Sequence, residues 1–174
     1  MRIIGGEWGG RRLKPLTGRD VRPTTDRVRE AWMSAMGGRF DGLTALDLFS
    51  GSGALGLEML SRGAASVTFV ERTRGALRVL EANIDTLGCA NRAHVVPMDA
   101  HRFLSRQAPT ADLAVADPPY ASDDARLLVE SFLSVPFANE LWLEHPFRTS
   151  LDLPESSRTR RYGDTAITTL FAPT

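Results

Sequence analysis

Three glycines in a G-x-G-x-x-G arrangement stand between two apolar runs of different period, and this junction constrains the fold more than any other part of the chain. The stretch is Asp47-Leu48-Phe49-Ser50-Gly51-Ser52-Gly53-Ala54-Leu55-Gly56-Leu57-Glu58. Leu43 to Phe49 is a short apolar run and reads as a buried strand. Ala54 to Arg62 reads as a helix, stopped by Gly63. Glycine takes positive φ and has no Cβ, so the backbone can turn sharply and let a ligand approach it. The helix beyond presents free N–H groups to an anion or a polar edge. Strand, glycine turn and helix together form the first ligand-binding crossover of an open α/β sheet.

The alternation continues downstream. Strands are expected at Ser66–Glu71, Ala93–Met98, Asp112–Ala116 and Glu140–Glu144. Helices are expected at Thr73–Leu87, Ala100–Gln107 and Asp123–Ser134. Strands joined by helices imply a parallel sheet with right-handed crossovers. Arg158–Tyr162 and Thr165–Phe171, joined at Gly163-Asp164, read instead as an antiparallel hairpin closing the sheet. Upstream, Val28, Ala31, Trp32 and Ala35 recur at helical spacing, so one face of a helix ended by Gly37 and Gly38 is buried, with Thr24 or Thr25 as its N-cap. Arg2 to Ile4 and Arg11 to Leu13 read as a β-hairpin around a glycine-rich turn with Trp8 at its tip. The expectation is an α/β, doubly wound, mostly parallel, Rossmann-like sheet with a C-terminal antiparallel hairpin. A basic hairpin arm and linker over residues 1–21 would precede the main domain at 22–174.

At 174 residues the chain fits one domain with a core that needs no staples. The single cysteine, Cys89, excludes an internal disulfide, and no Cys/His cluster suggests a metal. No apolar run is long enough to span a membrane, so a cytoplasmic location is expected. The net charge of zero hides an asymmetry: residues 1–39 hold nine basic and four acidic groups, and the rest is correspondingly acidic. A basic arm on an acidic body suits a polyanionic partner. A solvated face explains the same count. Trp8 among arginines could stack on a nucleobase or pack on the body.

Ligands of doubly wound sheets bind outside the carboxyl ends of the strands. Four such ends carry polar chemistry. The first is the turn from Asp47 through Ser50 and Gly51 to Gly53. The second is Glu71, placed to accept from a ribose diol. The third is Asp99, just after a strand, where a carboxylate can accept from an adenine amine. The fourth is Asp117-Pro118-Pro119-Tyr120. Two prolines fix φ twice and supply no N–H, so their carbonyls are held rigidly. A carboxylate, a fixed carbonyl and an aromatic ring can hold both hydrogens of an aromatic amine while the ring stacks on its base. The glycines alone fit a dinucleotide enzyme equally well. The short chain and Asp117-Pro118-Pro119-Tyr120 argue against that reading.

Asp117-Pro118-Pro119-Tyr120 resembles the D/N-P-P-Y/F motif of S-adenosylmethionine-dependent methyltransferases acting on exocyclic amines, and Asp47 to Gly53 resembles their cofactor motif. Arg2-Ile3-Ile4-Gly5-Gly6, Arg22-Pro23-Thr24-Thr25-Asp26-Arg27-Val28-Arg29-Glu30, Ala54-Leu55-Gly56-Leu57-Glu58 and Tyr162-Gly163-Asp164-Thr165 resemble signatures of the RsmD family of 16S ribosomal RNA guanine-N(2) methyltransferases. The resemblance covers nearly the whole chain, apart from residues 121–157. It implies a class I methyltransferase fold with S-adenosylmethionine as cofactor. The cofactor's methionine end would lie at Gly51 and Gly53, its ribose at Glu71, its adenine at Asp99 and Ala100, and its carboxylate near Thr24, Thr25 or Arg27. Asp117, Pro118, Pro119 and Tyr120 would hold the target guanine. Arg2, Trp8, Arg11, Arg12, Lys14, Arg22 and Arg27 would grip the RNA, within the small ribosomal subunit or its assembly intermediate, with the protein acting as a monomer. Rival readings are adenine or cytosine as the target, an NAD-binding oxidoreductase, or a non-catalytic RNA-binding domain.

Overall fold

A computed structural model describes residues 1–17, 26–106 and 111–173. The elements follow in the order α1 (Asp26–Ala35), β1 (Thr44–Leu48), α2 (Ala54–Ser61), β2 (Ser66–Glu71), α3 (Arg74–Leu87), β3 (Ala93–Pro97), α4 (Ala100–Arg106), β4 (Ala111–Ala116), α5 (Asp124–Ser134), β5 (Ala138–Pro146), β6 (Arg158–Tyr162) and β7 (Thr165–Phe171). The seven strands form one sheet in the order β3-β2-β1-β4-β5-β7-β6. β1 to β5 pair in parallel, and β7 runs antiparallel between β5 and β6. This is the doubly wound sheet with a closing hairpin that the sequence pattern predicts.

The helices end where the sequence punctuates them. Gly88 takes a left-handed φ of 65° after α3, its N–H bonding Asp85 O, while Cys89 N–H reaches back to Ile84 O at 3.2 Å. These bonds satisfy carbonyls that the helix end would otherwise leave open. β5 is longer than the expected Glu140–Glu144 because it is paired on both sides, by β4 and by β7.

Each face of the sheet buries its own core. On one side α1, α2 and α3 bring Trp32, Leu57, Met59, Leu80 and Ile84 against Phe69, Val115 and Ile167. On the other, α4 and α5 bring Phe103, Leu128 and Phe132 against Leu48, Leu143 and Leu170. No helix among the described residues is long and apolar enough to cross a membrane.

The N-terminal hairpin is smaller than the pattern suggests, a single antiparallel bridge between Arg2 and Arg12. Its side chains Ile3, Trp8 and Leu13 belong to the first core. Glu58 of α2, fully buried, accepts hydrogen bonds from Ile4 N and Gly5 N at 2.9 Å each. Arg62 Nε donates to the same carboxylate at 2.9 Å, and Arg29 Nε of α1 lies 3.6 Å away. Asn83 of α3 brackets Lys14, its Oδ1 accepting from Lys14 N at 2.7 Å and its Nδ2 donating to Lys14 O at 3.0 Å. The expected boundary at 21/22 lies outside the described residues.

Candidate active site

The β1–β4 register pairs Leu48 with Ala116, so the glycine turn after β1 and Asp117-Pro118-Pro119-Tyr120 after β4 leave the sheet side by side. The β1–β2 register pairs Leu48 with Val70, which brings Glu71 to the other flank of the turn. Three strand ends thus converge at one carboxyl edge of the sheet.

The turn is tightly braced. Phe49 has φ 59°, the one non-glycine residue at positive φ among the described residues. Ser50 Oγ donates to Asp47 O at 2.6 Å and to Val70 O at 3.2 Å, tying β1 to β2. Gly53 caps α2 in the left-handed region, φ 81°. A Cβ there would lie 2.4 Å from Leu80, so the missing side chain opens onto the core and not onto the cleft. At Gly56 a Cβ would meet the Phe69 ring at 2.4 Å and Asp47 Oδ2 at 2.9 Å. The third glycine of the motif therefore serves helix–strand packing. Leu16 of the arm covers Gly51, 3.2 Å from where its Cβ would stand.

Acids dominate the electrostatics. Asp47 is 2% exposed and accepts a hydrogen bond from Gly56 N at 2.9 Å. Burial pushes its carboxyl up to about 7; the Gly56 bond opposes this, and the charges of Asp117 and Glu71 reinforce it. Glu71 receives Gly51 N–H at 2.9 Å on one oxygen and Thr73 N–H at 2.7 Å on the other. Each oxygen keeps a further lone pair for a hydroxyl donor.

Tyr120 is fixed by its hydroxyl, 2.8 Å from Glu144 Oε1 and 2.7 Å from Thr165 Oγ1. Burial, and the neighbouring Glu144 and Asp117 charges, push its phenol well above the ordinary value while the Thr165 bond opposes them, so it stays a donor. Trp32 Nε1 donates to the other oxygen of Glu144 at 3.1 Å. A small pocket beside Tyr120 is lined by Pro118, Pro119, Ser122, Glu144 and Thr149. Pro119 O is taken by Ser122, through its N–H at 3.2 Å and its hydroxyl at 2.7 Å. Pro118 O has no hydrogen-bond partner among the described residues. Of the two rigidly held proline carbonyls only that of Pro118 stays open among the described residues, because Ser122 turns the chain back onto Pro119.

The family described as conserved hypothetical protein 95 matches residues 1–170. The chain belongs to this family, that of RsmD. It is 42% identical over 120 residues to ribosomal RNA small subunit methyltransferase D of Escherichia coli K12, a match covering 69% of this chain and 60% of that protein. The solved structure of Escherichia coli yhhF superposes with a TM-score of 0.82 at 32% identity, covering 99% of each chain. The Thermus thermophilus 16S rRNA N2 G1207 methyltransferase RsmC, solved with AdoMet and guanosine, shares the fold with a TM-score of 0.72 at 19% identity. That match covers 99% of this chain and 49% of RsmC.

Within this RsmD family member the residues singled out from sequence separate into groups. Asp47, Ser50, Gly51, Gly53, Glu71 and Asp117 to Tyr120 share one edge of the sheet. Asp47, Ser50 and Gly53 brace the turn from behind, and Gly51 and Glu71 border it. Asp99 caps α4 through Arg102 N–H at 3.1 Å and pairs with Arg72 at 3.2 Å, which gives Arg72 a place; Ala100 is buried beside it. Thr24, Thr25 and Arg22 lie outside the described residues. Arg11, Arg12, Lys14 and Arg27 are exposed, and Arg2 lies 3.7 Å from Asp26. Trp8 requires a correction. It is 7% exposed and packs into the core, with the Arg92 guanidinium 5.0 Å over its ring, so it cannot stack on a base. Sequence reasoning missed Glu144 as a site residue. Its one signal was an acid within the otherwise apolar run Leu141-Trp142-Leu143 that precedes it.

Proposed function

We propose that the protein is an S-adenosylmethionine-dependent methyltransferase that modifies the exocyclic N2 amine of a guanine in small-subunit ribosomal RNA. The observation that carries this reading is the β1–β4 register, which sets Asp117 and the free Pro118 carbonyl beside the braced turn at Gly51. The name of the Escherichia coli relative supports ribosomal RNA as the substrate class.

The residues fit the cofactor. Glu71, with spare lone pairs on both oxygens, takes the ribose diol; Gly51 offers backbone without a side chain; Asp99 and the Ala100 N–H border the adenine. Arg27 of α1, with Thr24 and Thr25, takes the carboxylate. Bound there, S-adenosylmethionine supplies an electrophilic methyl group on a sulfonium.

Catalysis by the chain's own residues is mainly positioning. A guanine amine is a weak nucleophile because its lone pair is delocalised into the ring. Asp117 carboxylate and Pro118 O accept its two hydrogens and favour a pyramidal nitrogen. Tyr120, pinned by Glu144 and Thr165, holds the extruded base by stacking, worth about 1–3 kcal/mol. As the nitrogen is alkylated it turns acidic, so Asp117 takes up its proton without having to be a strong base. The arm over residues 1–21 adds phosphate contacts through Arg2, Arg11, Arg12 and Lys14, and the enzyme acts as a monomer on the small subunit or its precursor.

The test is methyl transfer from tritiated cofactor to small subunits lacking the modification, followed by nucleoside mapping. N2-methylguanine is expected. Asp117→Ala should keep cofactor affinity and lose transfer. Methyladenine or methylcytosine as product, or near-normal turnover of the variant, would contradict the assignment.

A further inference from the structure

We infer that the β6 edge of the sheet is a second RNA-binding surface, which grips the phosphates on the side of the target base remote from the arm. This rests on the proposed action on RNA and extends it to a part of the chain outside the motifs. β6 carries Arg158, Arg160 and Arg161 within five residues and no acid. All three are exposed, as is Arg148 just beyond β5. None of these four arginines forms an ion pair among the described residues, so the charge of the β6 edge is not neutralised within the chain.

Position makes this more than surface charge. Tyr162 of β6 pairs with Thr165 of β7, and the Thr165 hydroxyl holds Tyr120. Arg160 shares a face of β6 with Tyr162, two residues back, about 7 Å along the strand. β6 stands three strands from β4 in the sheet, about 15 Å from the Asp117 turn at ordinary strand spacing. The arm packs across α2 and α3, on the opposite side of that turn. RNA that places a base at Asp117 thus has basic groups on both flanks.

One arginine is already set. Arg161 Nε donates to Gly163 O at 2.7 Å, and its guanidinium lies 4.1 Å over the half-exposed ring of Phe147. Both contacts fix the plane of the fork while its terminal nitrogens keep their hydrogens for a ligand. A fixed planar fork suits bidentate phosphate recognition. Charged side chains on an edge strand also discourage strand addition by another chain. That role predicts no effect on RNA affinity, so the two readings separate.

The experiment measures binding of a labelled single-stranded RNA oligonucleotide across a potassium chloride series, for wild type, the triple replacement R158Q, R160Q, R161Q, and the matching triple lysine replacement. Each phosphate contact contributes about 0.7 to the slope of log K against log salt for single strands. The glutamine triple should lower the slope by about 2 and weaken binding about a hundredfold at about 0.1 M salt. The lysine triple should retain the slope. Cofactor affinity and melting temperature serve as folding controls. They should stay near wild-type values, since all three replaced side chains are exposed. An unchanged slope in a folded glutamine triple overturns the edge-strand assignment and leaves the methyltransferase reading standing. Wild-type protein that binds no RNA overturns the edge-strand assignment too, while the methyltransferase reading is decided separately by methyl transfer to small subunits.

Discussion

Asp47→Asn tests whether the acids at the strand ends are packed as closely as the geometry says. Asp47 is an acid held out of water with a folded value of about 7, against 3.8 for the free side chain. The folded state therefore binds its proton more tightly than the unfolded chain does. The stability this confers is full below about pH 4 and is lost as pH rises through about 7. Integrated from about pH 5 to about pH 8, one group with these values costs about 2–3 kcal/mol. For a 174-residue domain that is a fall in Tm of about 5–10 °C. Asparagine keeps an oxygen for Gly56 N–H but cannot ionise. His145 works in the other direction: burial lowers its value, the Pro146 bond opposing, so the folded state resists its protonation and stability falls below about pH 6.5. The difference between wild type and variant cancels His145. Urea unfolding of both proteins across this pH range should show the variant gaining on wild type by up to one proton's worth, about 1.4 kcal/mol per pH unit. A difference independent of pH would mean that Asp47 titrates normally and that burial with Asp117 and Glu71 nearby does not govern it.

Other outcomes follow from the same contacts. Glu71→Ala removes the acceptor proposed for the ribose and should weaken cofactor binding at least about tenfold in calorimetry; unchanged affinity would reject the assignment. Tyr120→Phe leaves one oxygen of buried Glu144 without its donor and should cost about 1–3 kcal/mol of stability. It should also lower kcat while sparing cofactor affinity, and wild-type turnover would remove Tyr120 from the account. Glu58→Ala leaves buried Arg29 with Asp26 as its one remaining counter-charge and releases Ile4 N–H and Gly5 N–H. A loss of about 3–5 kcal/mol is expected, with faster tryptic cleavage at Arg11 and Arg12; wild-type protease resistance would show that Glu58 does not hold the arm.

The alternation from β1 onward was legible because each element announces its own end. Gly63 and Gly88 stop helices, and the period of apolar residues switches where the strands begin. The convergence of Asp47, Glu71 and Asp117 was legible too, since a parallel sheet brings successive strand ends to one edge. What stayed hidden depends on partners distant in sequence. Trp8 is decided by Arg92 and by the core beneath it, neither readable from the arm. Gly53 looks like a ligand-facing glycine until Leu80, on the next helix, is seen to fill the space its side chain would take. Glu144 is a strand acid like any other until the fold delivers Trp32 from α1 and Tyr120 from the β4 turn to its two oxygens.

The basic count of the arm misleads in an instructive way. Arg29 contributes to it, yet it is wholly buried, with its Nη2 on Asp26 and its Nε toward Glu58. Arg2 and Arg39 also face acids. Among the described residues of the arm, the charge left for a polyanion is carried chiefly by Arg11, Arg12 and Lys14. These sit on a segment that is also structural: Leu16 covers Gly51, and Asn83 joins Lys14 O to Ser52 O of the turn. Deleting residues 1–21 would thus take Ile3, Trp8 and Leu13 from the core and unclip the turn, confounding lost RNA contact with lost cofactor binding. Replacing the exposed Arg11, Arg12 and Lys14 by glutamine leaves the backbone bonds to Asn83 in place. It should lower the salt slope by about 2 for single-stranded RNA at unchanged cofactor affinity. If the slope instead stays put, the arm holds the turn and does not grip RNA.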